Sequence, residues 1–201
     1  MRELLTARLP GPGFSPRAAG PRNVWPAPSP VPESGEILRS AAVLVPLIDH
    51  ADGMTVLFTR RTATLPKHAG QISFPGGTVA AGESEPEATA LRETEEEIGI
   101  PRSAIELIGR LSVWDTSTGY RVMPVVGILK PPLAIIEQRS EVDGVFEVPL
   151  SFVCDAANHR IDRRLLGGVE REFRAMPYGD HYIWGLTARI LFELSQLLGD
   201  E

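Results

Sequence analysis

From residue 38 onward the chain alternates between short apolar runs and polar punctuation, the pattern of a packed domain. Ala41–Ile48, AAVLVPLI, is a continuous apolar run that predicts a buried strand. Residues 54–61, MTVLFTRR, predict its hairpin partner, with Ala51-Asp52-Gly53 as the turn. ISF at 72–74 is short and β-like, and Pro75-Gly76-Gly77 is expected to break it. Residues 86–98, PEATALRETEEEI, predict a helix with Ser84 as N-cap, Pro86 in the first turn and Gly99 as the stop. Strands follow at 105–116, 120–129 and 144–150, then a hairpin from residues 159–166 and 170–176 around Gly167-Gly168. LTARILFELSQLLG, 186–199, is a strongly amphipathic helix. Strands on both sides of a helix, mostly in hairpin order, argue for an α+β fold with a mixed sheet between helices.

The first 37 residues read differently. Eight of the 18 prolines fall within residues 1–35, which excludes a long helix or a central strand there. We expect residues 1–37 to form a Pro/Gly-rich arm with one short helix at Arg2–Leu9, and residues 38–201 to form the domain. The arm is either a tail or docked on the domain through Leu4, Leu5, Phe14, Val24 and Trp25.

Composition narrows the classes. The chain has 201 residues, 43% of them hydrophobic, which excludes a wholly disordered chain. Its net charge is −6 without a Lys/Arg block, which argues against binding a nucleic acid polymer through its phosphates. Cys154 is the only cysteine, so no intrachain disulfide or multi-cysteine metal site exists, and burial makes it an inert thiol. The longest apolar runs are far shorter than a membrane helix needs, and the N-terminus lacks a secretory h-region. No membrane partner and a cytoplasmic location are expected.

Chemistry concentrates in residues 76–100, GGTVAAGESEPEATALRETEEEIGI. At about 100° per residue, Glu93, Glu96 and Glu97 share one helical face, with Ala88, Leu91 and Ile98 on the opposite one. Like charges at these spacings repel, and they sit near the helix C-terminus, where the macrodipole disfavours anions. A divalent cation reverses both penalties, and Mg²⁺ or Mn²⁺ takes hard oxygen ligands of this kind. Gly76 and Gly77 allow the backbone to approach a ligand closely. Arg92 flanks the glutamate face and is placed to pair with Glu83, orienting it. The loop is neither a Walker A loop nor a Rossmann fingerprint, since neither GK[ST] nor GxGxxG occurs in place. Arg61 and Lys67 stand near enough to the glycine loop to meet an anionic ligand. His68, Gln71, Ser73, Phe74, Trp114, Tyr120 and Trp184 have structural explanations at least as good as functional ones.

Gly77, Glu83 and Arg92-Glu93-Thr94-Glu95-Glu96-Glu97-Ile98-Gly99-Ile100 resemble the Nudix box, GX5EX7REUXEEXGU. Eight residues rather than seven separate Glu83 from Arg92, and Thr94 stands at an aliphatic position. Upstream, LFTRRTATLPKHAGQISFPGG (57–77) is similar to the signature of the coenzyme A pyrophosphatase branch, LLTxR[SA]x3Rx3Gx3FPGG. Arg61, Gly70 and Phe74-Pro75-Gly76-Gly77 match. Thr62 replaces Ser/Ala, and Pro66 replaces the second Arg, with Lys67 beside it. The ending IWGLTARIL (183–191) is similar to that branch as well.

The resemblance implies a Nudix α/β/α sandwich that hydrolyses a pyrophosphate joined to a nucleoside. Mg²⁺ or Mn²⁺ would be held by Glu93 and Glu97, with Glu96 and the Gly76 carbonyl nearby. Glu96 or Glu141 would accept the water proton, and Glu141 could instead ligate metal; Glu147 is a weaker candidate. Arg61 and Lys67 would contact the phosphates or the adenosine 3′-phosphate. The implied substrate is a small-molecule nucleotide, coenzyme A or acyl-CoA, giving 3′,5′-ADP and 4′-phosphopantetheine or its acyl form. Alternatives are ADP-ribose, NADH or a damaged nucleotide as substrate, a nucleotide-sensing module without activity, and a structural domain. A homodimer is left open.

Overall fold

Strand β1 (Arg39–His50) is apolar on consecutive residues because both its faces are covered. Ala42, Leu44 and Ile48 pack into one core; Val45 and Leu47 pack into the other. The same alternation divides β2 (Gly53–Arg61), where Leu57 faces the first core and Val56 and Phe58 the second. The computed structural model describes residues 2–9, 38–63, 69–166 and 169–199. Lys67, His68, Gly167-Gly168, Phe14, Val24 and Trp25 lie outside them.

Further along the chain come β3 (Ile72–Ser73), β4 (Gly76–Thr78), α2 (Pro86–Ile98), β5 (Ile105–Arg110), β6 (Trp114–Asp115), β7 (Tyr120–Leu129) and β8 (Val142–Pro149). Helix α1 (Arg2–Arg8) precedes β1, and α3 (Leu150–Cys154), β9 (Arg160–Leu166), β10 (Val169–Tyr178), β11 (His181–Trp184) and α4 (Leu186–Gly199) complete the described chain. The large sheet runs β3-β2-β1-β7-β5, with β4 on β1, β6 on β7 and β8 on β2. β1 and β7 are parallel and the other pairs antiparallel, so the sheet is mixed. Helix α2 covers one face; α1, α3 and α4 cover the other. This is the expected α+β sandwich. A second, antiparallel sheet runs β11-β10-β9.

Helix α1 docks rather than trailing: Leu5 and Leu9 are buried in the core that α4 shares, and Arg2 pairs with Glu106 on β5. Two local expectations are corrected. The strand expected over 105–116 splits into β5, which carries a bulge between Leu107 and Gly109, and β6 at Trp114–Asp115, with the Leu111 amide donating to the Pro124 carbonyl between them. Gly76-Gly77, read as a break, forms β4, antiparallel to Ala42 and Val43. A Cβ on Gly76 would lie 2.4 Å from the Ala42 carbonyl oxygen, so only glycine lets the two backbones meet there.

Candidate active site

Helix α2 is pinned at both ends. Its N-cap is Glu85, without a side-chain capping bond, and not Ser84 as expected. The start is held instead by Arg110, buried beneath it, which donates to Glu87 at 2.6 Å and Glu85 at 2.8 Å. At the other end Gly99 adopts the left-handed conformation (φ 71°) and donates to the Glu95 carbonyl at 3.0 Å. The segment before β8 is tied to the same end: the Ile136 amide donates to the Ile98 carbonyl and the Gln138 amide to that of Glu97.

The face on which α2 packs differs from the expectation. Thr89, Ala90, Thr94, Glu97 and Ile98 are buried, while Leu91 is only half-buried. The helix therefore rests on the sheet through a face that runs from Ile98, on the expected apolar side, round past Thr94 to Glu97. Small residues permit the close approach. Thr94, at the aliphatic position of the box, satisfies its hydroxyl by donating to the Ala90 carbonyl at 2.7 Å.

This packing puts two carboxylates beside β4. The residue Glu97 is only 4% exposed, accepts from the Gly76 amide, and has Arg61 Nη1 4.0 Å away. Burial pushes its pKa up to about 8; Arg61 opposes this, and Glu93 and Glu141 add to it. Burial also raises the pKa of Glu93, against the nearby Arg92. Glu93 fits over Gly77 so closely that a Cβ there would stand 2.5 Å from its carboxyl. Glu141 is exposed, and its charge acts on both Glu93 and Glu97 from across the site. Its backbone is fixed at the end of β2, where its carbonyl accepts from the Thr62 amide at 2.9 Å.

Arg92 latches the loop to the helix. Its Nε donates to Glu83 at 2.8 Å and its Nη2 to the Thr78 carbonyl at 3.0 Å; Nη1 lies 2.9 Å from both Glu93 and Glu96. Glu83 also accepts from the Ala80 amide and the Thr89 hydroxyl. The Arg92 bond is the leading cause that holds the Glu83 carboxyl down at about 2. The pairing expected between Arg92 and Glu83 is present.

Among the described residues no three Asp, Glu, His or Cys side chains stand close enough to cage an ion. The donor set nevertheless fits Mg²⁺ or Mn²⁺. Such ions are commonly bound through one or two protein carboxylates, the other positions being water and substrate phosphate. Glu93 and Glu97 are two hard oxygen donors whose burial disfavours the charge that a cation would neutralise. The contact seen at Gly76 is its amide on Glu97, whereas the sequence pointed to its carbonyl as the donor.

Other candidates fall elsewhere. Glu147 bonds His50 and Thr55 toward the far end of β2. Phe74 is core, stacked on Phe58, and Ser73 bonds Thr59. Trp114 is half-buried under Arg189, and Tyr120 lies under Arg39. Cys154 is half-buried, which raises its pKa. Arg110 and Gln138 support the site and had no signal in the sequence, because Arg110 acts through acids distant along the chain and Gln138 through its backbone; Thr89 bonds Glu83 nearby, across a loop whose path the sequence did not show.

Comparison with known proteins identifies the fold and the family. A model of the NUDIX domain matches residues 38–162. The chain is 42% identical over 170 residues to an uncharacterized Nudix hydrolase, NudL, of Photorhabdus laumondii, covering 84% of this chain and 90% of that protein. NudL of Escherichia coli K12 is 42% identical over 162 residues, covering 80% and 83%. Among solved structures, the MutT protein of Methanosarcina mazei superposes with a TM-score of 0.51 at 20% identity, covering 82% of this chain and 98% of that one. The Nudix hydrolase RenU of M. smegmatis gives 0.51 at 22%, covering 61% and 80%. These likenesses carry the fold, while the domain match and the identity to NudL carry the family: the chain belongs to the Nudix hydrolases.

Proposed function

We propose that this enzyme is a Mg²⁺- or Mn²⁺-dependent pyrophosphohydrolase that cleaves the diphosphate of coenzyme A or acyl-CoA, releasing 3′,5′-ADP and 4′-phosphopantetheine or its acyl form. The observation that carries the reaction class is the pair of carboxylates, half-buried Glu93 and buried Glu97, seated against Gly77 and Gly76 beside Arg61. The substrate rests on the 57–77 segment, similar to the coenzyme A pyrophosphatase signature.

In this reading Glu93 and Glu97 hold the ion, with Glu96 and the Gly76 carbonyl completing the protein ligands. When bound, the ion neutralises phosphoryl oxygens and makes its water more acidic. Arg61 meets a diphosphate oxygen next to Glu97, and Lys67 adds a second cation by resemblance. Arg92 positions Glu83 and Glu93 through its hydrogen bonds. Glu141 takes the proton from the attacking water, since Glu96 is engaged by Arg92 whereas Glu141 is exposed across the site from the helix carboxylates. Residues 1–37 serve as an arm to a catalytic domain of residues 38–201, located in the cytoplasm. Among the described residues no helix is long and apolar enough to cross a membrane.

A second reading, hydrolysis of ADP-ribose, NADH or a damaged nucleotide, is favoured by one feature: Pro66 stands where the signature has its second Arg. A panel of these compounds with coenzyme A and acetyl-CoA, incubated with Mg²⁺ or Mn²⁺ and separated by chromatography, decides between them. Coenzyme A should give 3′,5′-ADP fastest; faster release of AMP from ADP-ribose would replace the first reading. In the same assay Glu141→Gln should lower kcat and remove the acidic limb of the pH–rate profile. Rescue by high Mn²⁺ would make Glu141 a ligand instead. Sedimentation of the same preparation shows whether the working unit is a homodimer.

A further inference from the structure

Arg60 and Arg61 are consecutive on β2, so their side chains leave opposite faces of the sheet. Arg61 takes the α2 face, 4.0 Å from Glu97, and is committed to whatever binds there. Arg60 takes the other face and borders a cleft of about 420 Å³, where residues 69–72 meet β9 and β11. Arg164, Asp180, Tyr182 and Trp184 also line it.

The chemistry of this cleft is that of a nucleotide site. The Arg164 guanidinium lies over the Tyr182 ring at 4.9 Å from its centroid and over Trp184 at 5.4 Å. Rings held this way fix the plane of the cation, and a planar guanidinium is a surface on which a purine stacks. Its N–H fork matches a phosphate, and Arg60, half-exposed beside Asp143, supplies a second positive charge. The Asp180 carboxylate is an acceptor for an exocyclic amine. The volume lies within the range of small-molecule sites, roughly 300–1,000 Å³.

We propose that this cleft holds the nucleoside end of the substrate, with the purine stacked on the Arg164–Tyr182–Trp184 assembly and the sugar phosphate carried by Arg60 and Arg164. The proposal rests on the reading of the enzyme as a hydrolase of a nucleoside diphosphate compound that carries a further phosphate. With Arg61 and Lys67 engaged at the diphosphate, that further phosphate needs other cations, and Arg60 at the end of β2 and Arg164 on β9 both border the cleft. The substrate then passes around the end of β2, its diphosphate on the α2 face and its base on the β11 face.

The test uses the full chain without metal, so that binding is read without turnover. Adenosine 3′,5′-bisphosphate is titrated by calorimetry and by tryptophan emission into wild type, Arg60→Ala and Arg164→Ala, with folding checked by circular dichroism. Wild type should bind and change its emission, Arg164→Ala should bind at least ~10-fold more weakly, the scale of a lost charge-assisted hydrogen bond, and Arg60→Ala should weaken binding less. With Mg²⁺ and coenzyme A, both variants should raise KM and leave kcat within about threefold. Equal affinity in all three proteins overturns the assignment. If coenzyme A is cleaved while binding is independent of Arg164, the cleft assignment alone falls. If coenzyme A is not cleaved while the bisphosphate still needs Arg164, the substrate reading falls and the cleft stands.

Discussion

The α2–β4 face and the β9–β11 sheet both gather arginines and acids, yet they use them in opposite ways. Around α2 the central charges are buried or half-buried and each is specified by partners: Arg92 is shared among Glu83, Glu93, Glu96 and the Thr78 carbonyl, and the buried Arg110 of β5 is closed by Glu85 and Glu87. On β9 they are exposed; Arg164 is placed by rings, and Arg163 by Glu172 on the next strand. Buried charge demands fixed geometry because an unpaired group there is expensive. Exposed charge tolerates exchange, since solvent replaces a lost partner. The first region suits chemistry at a fixed point, and the second suits recognition of a ligand.

The largest effect should come from Glu97→Gln. It keeps the size and the contact with the Gly76 amide but removes an anionic donor. Turnover should fall at least ~100-fold, the scale for losing a strong electrostatic stabiliser, with folding intact. Near wild-type turnover at saturating Mg²⁺ would dissolve the distinction between the two regions.

Gly77→Ala should come next. Its Cβ would meet first the far end of the Glu93 side chain, at 2.5 Å, which can swing away. Activity should drop by ~10-fold or more as the carboxylate is displaced, while stability stays within ~1 kcal/mol. Gly76→Ala would instead meet the Ala42 carbonyl and Val43 backbone at 2.4 and 2.6 Å. It should destabilise by ~1–3 kcal/mol, the range of overpacking. Chemical denaturation beside kinetics separates the pair, and equal stability losses would show that Gly77 serves packing only.

Acidity gives a smaller signal. Burial raises the Glu97 pKa from the ordinary 4.5 to about 8, so the folded metal-free chain holds a proton that the unfolded chain releases. Stability should therefore fall as pH rises from about 4.5 to 8, and Glu97→Gln should flatten that slope. Urea midpoints in chelator provide the measurement; a slope of the same size in the variant would refute the burial argument. The smallest effect belongs to β9. Leu165 is 73% exposed, and Leu165→Ser should change stability by less than ~0.5 kcal/mol. A larger loss in thermal unfolding would mean that β9 is covered in solution.

Local rules read much of this fold correctly. The bounds of α2, β7 and α4 coincide with the predicted ones, because Pro86, Gly99 and the apolar periodicity act within a few residues. The helical wheel also placed Arg92 against Glu83. What escaped depends on distant partners. β4 exists because Ala42 and Val43 lie beside Gly77 and Gly76, which a Pro-Gly-Gly sequence does not announce. The packed face of α2 extends further than expected because a helical wheel sends glutamate outward, whereas Glu97 is drawn inward beside Ile98 among Thr94, Ala90 and the Gly76 amide.

The amides of Ile136 and Gln138 bind the last carbonyls of α2, and Glu141 follows three residues later. The spacing between the helix carboxylates and Glu141 is thus written in main-chain atoms. Side chains along that connection can drift over generations without moving the two halves of the site apart. Descendants of this chain can acquire new loop chemistry there, and hence new substrates, while inheriting the distance between the carboxylates unchanged.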